Sequence, residues 1–260
     1  MKRFFALYAV AIRAEISSAM AYRANFFTNF FISLITNLLT PLVTVFIYGA
    51  GASIPGWSMY EALLVQAVFM LCNGLCAPFF FNTVWTTMVH IREGTYDILL
   101  LKPCPVLLST MAFSFDLEAL GVLFGGLVMF IICLFKLPAP GFMSVMMFLL
   151  LLIMGACVLF GMVTLMTASA FKWVGNGRIF EIFDGVSQFG RHPGSVFPKW
   201  LSGVLSFVFP VAMLGFFPAS ALLGRGKIYM LLAAVPCVLF MLFGVWLFKR
   251  MVRGYQSAGG

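Results

Sequence analysis

Long apolar stretches without charged residues dominate the chain, and short polar segments separate them. A helix that spans a membrane needs about 20 consecutive apolar residues. By this criterion the pattern predicts five spanning helices, over 26–49, 60–84, 107–135, 142–170 and 228–250. The third of these carries Asp116 and Glu118 in its first half, and the other four are almost free of charge.

The region 172–227 allows two interpretations. Hydropathy alone favours a fifth helix at about 201–222, although Pro210 and Pro218 interrupt that apolar stretch. In the alternative, the short amphipathic segment 178–192 is the fifth helix, and 196–224 is a proline-broken hairpin that re-enters the outer leaflet. Both interpretations give six crossings, so both place the two chain ends on the same side of the membrane.

The N-terminal residues 1–24 predict a helix that lies in the membrane interface. Arg13 and Glu15 interrupt the apolar run, which argues against a cleavable signal peptide. The apolar side chains recur every three to four residues, at Phe5, Tyr8, Ile12 and Ile16. Such a spacing produces one apolar helix face, which can enter the lipid while basic residues contact the head groups.

Lysine and arginine are enriched in cytoplasmic loops of membrane proteins, so their distribution predicts topology. With both chain ends in the cytoplasm and 178–192 as the fifth helix, 11 of these residues lie inside and 5 outside. With the fifth helix at 201–222, the split becomes 13 and 3. Both interpretations therefore predict cytoplasmic termini.

Composition excludes several classes of protein. Of the 260 residues, 63% are hydrophobic and 9% are charged, whereas a soluble domain has about 25% charged residues. A soluble enzyme, a disordered chain and a disulfide-stapled secreted domain are therefore excluded. The net charge of +8 is explained by topology-setting loops, so we predict a lipid-bilayer partner and no nucleic acid.

The chain has no pattern of catalytic residues. It lacks His-Glu-x-x-His and Gly-x-Ser-x-Gly, and in Gly224–Ile228 an isoleucine replaces the hydroxyl residue that a phosphate-binding loop requires. The six cysteines lie in or beside apolar runs, without further metal ligands nearby. We therefore predict neither catalysis, nor a metal site, nor a cofactor in this chain.

One polar stripe falls within the apolar part of the chain. Glu181, Asp184 and Gln188 have the spacing i, i+3, i+7, which places them on one face of a helix. If 178–192 spans the membrane, this face needs protein or a water-filled cavity beside it. The stripe is thus a candidate for a translocation path, and a purely structural pairing of these side chains is an equal alternative.

The segment between the second and third helices, over 88–104, is too polar to span. Charged residues at its start are followed by the apolar run Leu99–Leu101. On the cytoplasmic side, such a segment suits docking to another protein, and the alternative is an ordinary amphipathic interfacial loop.

Three motifs in the chain are similar to those of a known family. Residues 92–103, REGTYDILLLKP, resemble the (E/R)GxLDxLLLrP segment of ABC-2 type transporter permeases. Residues 190–201, GRHPGSVFPKWL, are similar to GRYPxxIYPxWLR, and 209–225 are similar to IPxAFxxyxPaxxLLGr. The match is to the branch of small six-helix permeases that are encoded beside a separate ATPase. His192 departs from this pattern, because tyrosine is usual there.

The resemblance implies an all-α membrane protein like a type V ABC exporter. It implies a single transmembrane domain over 1–260, with six helices, an N-terminal interfacial helix, a cytoplasmic coupling helix within 88–104 and an outer re-entrant hairpin broken at Pro210 and Pro218. It also implies that 178–192 is the fifth helix. The residues that would couple to the ATPase are Arg92, Glu93, Gly94, Tyr96, Asp97, Leu99, Leu100, Leu101, Lys102 and Pro103.

The resemblance further implies partners and location. Two permease subunits, identical or paralogous, would pair, and two ATPase subunits that bind ATP and Mg²⁺ would dock beneath them. The expected location is the inner membrane of a bacterium, and the expected activity is export. Apart from the coupling segment, the sequence leaves open a gradient-driven transporter or channel, or a non-transporting scaffold or sensor subunit.

Overall fold

The computed structural model describes residues 2–102, 104–173, 177–226 and 228–256, without the side chains of 2–7, 228 and 229. Every regular element in this part of the chain is a helix. Four helical stretches in this part are long and apolar enough to cross a membrane: Arg23–Gly49, Met59–Arg92, Phe142–Ala170 and Met230–Arg253. The apolar helix Leu120–Lys136 is shorter. The protein is therefore a multi-pass membrane protein.

The thirteen α-helices of the described residues are α1 Lys2–Ala21, α2 Arg23–Gly49, α3 Met59–Phe80, α4 Asn82–Arg92, α5 Tyr96–Leu100, α6 Val106–Ala112, α7 Leu120–Lys136, α8 Phe142–Ala170, α9 Gly177–Gln188, α10 Lys199–Phe207, α11 Phe216–Leu222, α12 Ile228–Leu232 and α13 Ala234–Arg253. Short 3₁₀ turns lie over Phe189–Arg191, Gly194–Val196 and Val211–Leu214.

The bundle is organised around α3, which is buried almost continuously from Ala62 to Cys72. It begins with a capping box, because the Ser58 hydroxyl accepts from the backbone N–H of Glu61 and the Glu61 carboxylate accepts from the Ser58 N–H. α7 packs along one side of α3, and α8 with α13 forms a second pair. The most apolar helices thus bury one another.

A continuous helix over 107–135 does not form, so that prediction was wrong. The chain breaks between α6 and α7, and Asp116 and Glu118 lie in this break. The Asp116 carboxylate accepts a 2.9 Å hydrogen bond from the Glu118 N–H, and the Asp116 N–H donates to the carbonyl of Pro78 at 3.0 Å. Short polar side chains such as that of Asp116 offer the backbone hydrogen bonds that replace those of a helix. The helical bonding is therefore interrupted between α6 and α7.

The apolar stretch 201–222 does not form one helix either. α10 ends at Phe207, a 3₁₀ turn follows Pro210, and α11 begins only at Phe216. Proline has no N–H to donate, which explains the break at Pro210. Pro218, by contrast, lies in the first turn of α11, where its missing N–H costs little, so it does not break the hairpin.

Glycines allow α7 to approach its neighbours closely. A Cβ on Gly121 would collide with the backbone carbonyl oxygen of Phe30 in α2, and one on Gly74 would collide with the backbone of Leu123 in α7. A Cβ on Gly126 would lie 2.9 Å from the backbone nitrogen of Leu71. Small residues of this kind permit tight helix packing in membranes.

We expect Gly121→Ala to destabilise the fold by about 2 kcal/mol, because overpacking a close contact costs roughly 1–3 kcal/mol. The opposed atom is a backbone oxygen, which cannot rotate away. The shift can be measured as denaturant-induced unfolding in detergent micelles. Gly203→Ala is the matched control, since a Cβ there meets nothing within 4 Å. Equal stabilities of the two variants would contradict the packing explanation.

Candidate functional site

The segment that follows α4 makes a tight, well-defined reversal. Gly94 has a positive φ of 68°, the left-handed conformation that glycine adopts without strain. The Thr95 N–H donates to the His90 carbonyl at 2.9 Å and the Gly94 N–H to the Ile91 carbonyl at 3.3 Å, which is the Schellman pattern of a helix end. The Thr95 hydroxyl also lies 2.7 Å from His90 Nδ1. Gly94 therefore shapes the turn that presents α5.

Two side chains anchor α5 to the bundle. Tyr96 is fully buried and Leu99 is 3% exposed. The Tyr96 ring lies 5.0 Å from the Phe171 ring and 5.5 Å from that of Tyr255. Burial raises the pKa of Tyr96 to about 12, so the phenol is neutral at physiological pH. Both residues were predicted as ATPase contacts, but they point inward and are closed to a docking protein.

α5 and the residue directly after it also expose an apolar surface, which we call the α5 knob: Ile98, Leu100 and Leu101. Leu101 is 85% exposed, Ile98 is 60% exposed, and Leu100 is also exposed. Arg92 and Glu93 are exposed just before it. Ile98 was missed by the sequence analysis, although its i, i+3 spacing from Leu101 could have indicated a shared helix face. The knob is therefore apolar and sits beside charge.

The remaining predicted coupling residues differ in their surroundings. The Lys102 ammonium lies 3.4 Å from the centre of the Phe113 ring, a cation–π geometry, and burial lowers the pKa of Lys102. Asp97 is partly buried. Pro103 lies outside the described residues.

The polar stripe on α9 faces away from the bundle. Glu181 and Asp184 are exposed, and the Gln188 amide donates to the Asp184 carboxylate at 3.2 Å. The apolar residues of the other face, Ile179, Phe180, Phe183 and Val186, pack against the core. At 1.5 Å per residue, the 12 residues of α9 extend about 18 Å, less than the roughly 30 Å of a hydrocarbon layer.

A cleft of about 370 Å³ lies at the end of this stripe, lined by Gln188, Phe189, His192 and Phe197 among others. Beside it, Arg191 is held by α2 rather than by an ion pair within its own segment. Its guanidinium donates to the Asn37 amide oxygen at 2.9 Å and to the Thr40 hydroxyl at 3.1 Å. The sequence analysis did not identify this link, because the partners are more than 150 residues apart in the chain.

The residues that directly flank the hairpin 196–224 are bound to the first turn of α3 and to the loop before it. Arg225 forms a 2.7 Å ion pair with Glu61, and the Trp57 indole N–H donates to the Ser195 hydroxyl at 3.1 Å. Pro210 and Pro218 are both buried. These contacts fix the position of the hairpin across the start of α3.

Within the described residues, no group of three or more His, Cys, Asp or Glu side chains is placed to hold a metal ion.

A family model described as "ABC-2 family transporter protein" matches residues 31–259. This range contains α5, α9 and the hairpin. No match is found among the curated proteins or among the solved structures.

Proposed function

The chain belongs to the ABC-2 family of transporter proteins, and from this premise we propose that it is the membrane-spanning permease subunit of an ATP-binding-cassette exporter. A separate partner subunit would bind ATP and Mg²⁺ and hydrolyse the nucleotide. Membership in this family assigns the chain to transport. The ATPase partner and the outward direction of transport are what we propose in addition.

The α5 knob is the observation that carries this proposal. Ile98 of α5 and Leu101 directly after it expose apolar surface next to the exposed charges of Arg92 and Glu93. Exposed apolar side chains rimmed by polar residues are characteristic of protein–protein contacts. A helix anchored by Tyr96 and Leu99 would transmit a push from a docked ATPase into the bundle instead of yielding to it.

In the proposed assembly, two permeases, identical or paralogous, pair in a bacterial inner membrane with both termini in the cytoplasm. Two ATPase subunits then dock beneath them on the α5 knobs. The six crossings are α2, α3 with α4, α7, α8, α9, and α12 with α13. α1 lies along the inner leaflet, and the hairpin 196–224 re-enters from the outer side.

The exposed carboxylates of α9 fit this arrangement, because a partner permease and the water between the two subunits would cover them. The alternative function is a gradient-driven transporter or channel, for which the same exposed carboxylates of α9 are the motivating observation. Proton- and ion-coupled transport relies on acids within the membrane.

Affinity purification of the tagged chain from its native host, under gentle crosslinking in mild detergent, distinguishes the two functions. We expect mass spectrometry to recover an ATPase that carries nucleotide-binding motifs, with or without a second permease. A tagged polytopic membrane protein of another family, treated identically, is the control for nonspecific capture. Recovery of this chain alone, together with transport that continues after ATP depletion, would refute the proposal and favour the gradient-driven function.

A further inference from the structure

The chain does not end at α13 but turns back toward α5. After α13 ends at Arg253, the Gly254 N–H donates to the Met251 carbonyl at 3.0 Å, and the Tyr255 N–H donates to the Val252 carbonyl at 3.1 Å. This turn places the Tyr255 ring 5.5 Å from the Tyr96 ring of α5 and 5.9 Å from the Phe171 ring that follows α8. Tyr255 therefore contacts the segment that presents the α5 knob.

Four rings form one continuous cluster, which we call the aromatic latch: Tyr96, Phe171, Phe248 and Tyr255. Phe171 is its centre, since it also lies 5.7 Å from Phe248 of α13. All four contacts are edge-to-face, with interplanar angles of 68° to 78°, which is a favoured geometry for aromatic pairs. The latch thereby joins three helices, α5, α8 and α13.

α5 depends on such contacts for its position. A helix of five residues is not stable by itself, because fixing the backbone of its first turn loses more conformational entropy than its few hydrogen bonds offset. Its register and orientation must come from the packing of Tyr96 and Leu99. α4 contributes Met88 and Ile91 to this cluster and α6 contributes Val106, while Ala170 and Phe171 come from the end of α8 and Tyr255 follows α13.

The two helices on the other side of the latch form a closely packed pair. A Cβ on Gly161 of α8 would lie 3.1 Å from Met241 Cα of α13, and one on Gly244 of α13 would meet the Gly161 carbonyl oxygen at 2.8 Å. Such contact between backbones leaves little room for one helix to move without the other. A displacement of α5 would therefore move α8 and α13 together.

We propose that Tyr255 is a positioning residue that holds α5 against the α8–α13 pair, so that a force on the α5 knob moves this pair. The positioning role is a property of this chain alone. Its consequence for transport rests on the proposed function, because only an ATPase docked on the knob would supply the force.

The first test measures hydrogen–deuterium exchange of residues 94–101 in the purified full-length chain in lipid nanodiscs. Tyr255→Ala removes one ring of the latch, so we expect exchange in this segment to rise about tenfold, as expected for loss of roughly 1.4 kcal/mol of local stability. Tyr255→Phe keeps the ring and should exchange like the wild type. Gln256→Ala is the matched control, since Gln256 is exposed and adjacent.

The second test adds the partner ATPase to these variants in proteoliposomes. We expect Tyr255→Ala to reduce the permease-stimulated kcat of ATP hydrolysis about tenfold and to leave the KM for ATP unchanged, because the nucleotide site is in another chain. Tyr255→Phe should restore the stimulation. A destabilised permease would instead lower the amount of assembled complex, which size-exclusion chromatography measures separately.

The two proposals fail in different ways. Wild-type exchange at 94–101 in Tyr255→Ala, or equal defects in the alanine and phenylalanine variants, would overturn the positioning role of Tyr255. Raised exchange in Tyr255→Ala, rescued by phenylalanine, supports that role even when no ATPase is recovered, in which case only the proposed function is refuted.

Discussion

The double variant Ile98→Ala with Leu101→Ala is expected to lower ATP-driven transport at least tenfold while the permease remains folded. These two side chains are the most exposed of the α5 knob, with 60% and 85% of their surface accessible. The few residues that dominate an interface each cost about 2 kcal/mol or more when they are truncated to alanine. The loss of one such residue already corresponds to more than a tenfold change in affinity.

The measurement is direct titration of the partner ATPase against the reconstituted permease, followed by transport at saturating ATPase. We expect weaker binding, with transport partly recovered at high ATPase concentration. Leu232→Ala is the matched control, because Leu232 is 62% exposed and lies in α12, outside the coupling segment. Unchanged affinity in the double variant, with wild-type transport, would rule out the knob as the docking site.

Leu99→Ala distinguishes docking of the ATPase on the α5 knob from packing of α5 against the bundle. Leu99 is 3% exposed and belongs to the cluster that holds α5, so its truncation costs about 2–5 kcal/mol of packing. The defect should appear in thermal unfolding as well as in transport. The knob variants, by contrast, should unfold at the wild-type temperature.

The sequence predicted the long apolar helices well, because their apolar runs exceed the length of a membrane span and need no long-range information. α8 covers the predicted range 142–170, and α2 contains the predicted range 26–49. Amphipathy likewise predicted the polar stripe of α9, since helical spacing alone places Glu181 and Asp184 on one face. These features are local in the sequence.

The features that sequence analysis missed depend on contacts between distant residues. Within the run Leu99–Leu101, Leu99 is buried in a cluster that includes the distant residues Ala170, Phe171 and Tyr255, whereas Leu101 is exposed. The position of Arg191 depends on Asn37 and Thr40 of α2. The break at Asp116 depends in part on the Pro78 carbonyl, whereas apolar composition alone favours an uninterrupted helix.

The second large effect is expected from the polar stripe of α9. Glu181→Gln combined with Asp184→Asn removes two charges and preserves the shape of both side chains. We expect transport to fall at least tenfold while the permease-stimulated ATPase rate stays within about twofold of the wild type. The separation follows from position, because the stripe is on a different helix from the α5 knob.

The same variant should not lose stability, which makes the expectation specific. A charged side chain in the centre of a bilayer costs about 2.5–3.5 kcal/mol on insertion scales, so neutral amides there should leave the unfolding temperature unchanged or raise it.

The control for this experiment is Ile182→Ala, since Ile182 is 64% exposed at the flank of the stripe and carries no charge. It should transport at the wild-type rate. Wild-type transport by the amide variant would exclude the stripe from the translocation path, and a lowered unfolding temperature would identify the carboxylates as structural. Loss of transport at full stability, with ATP hydrolysis retained, is the result expected from a role of α9 in the path of the substrate.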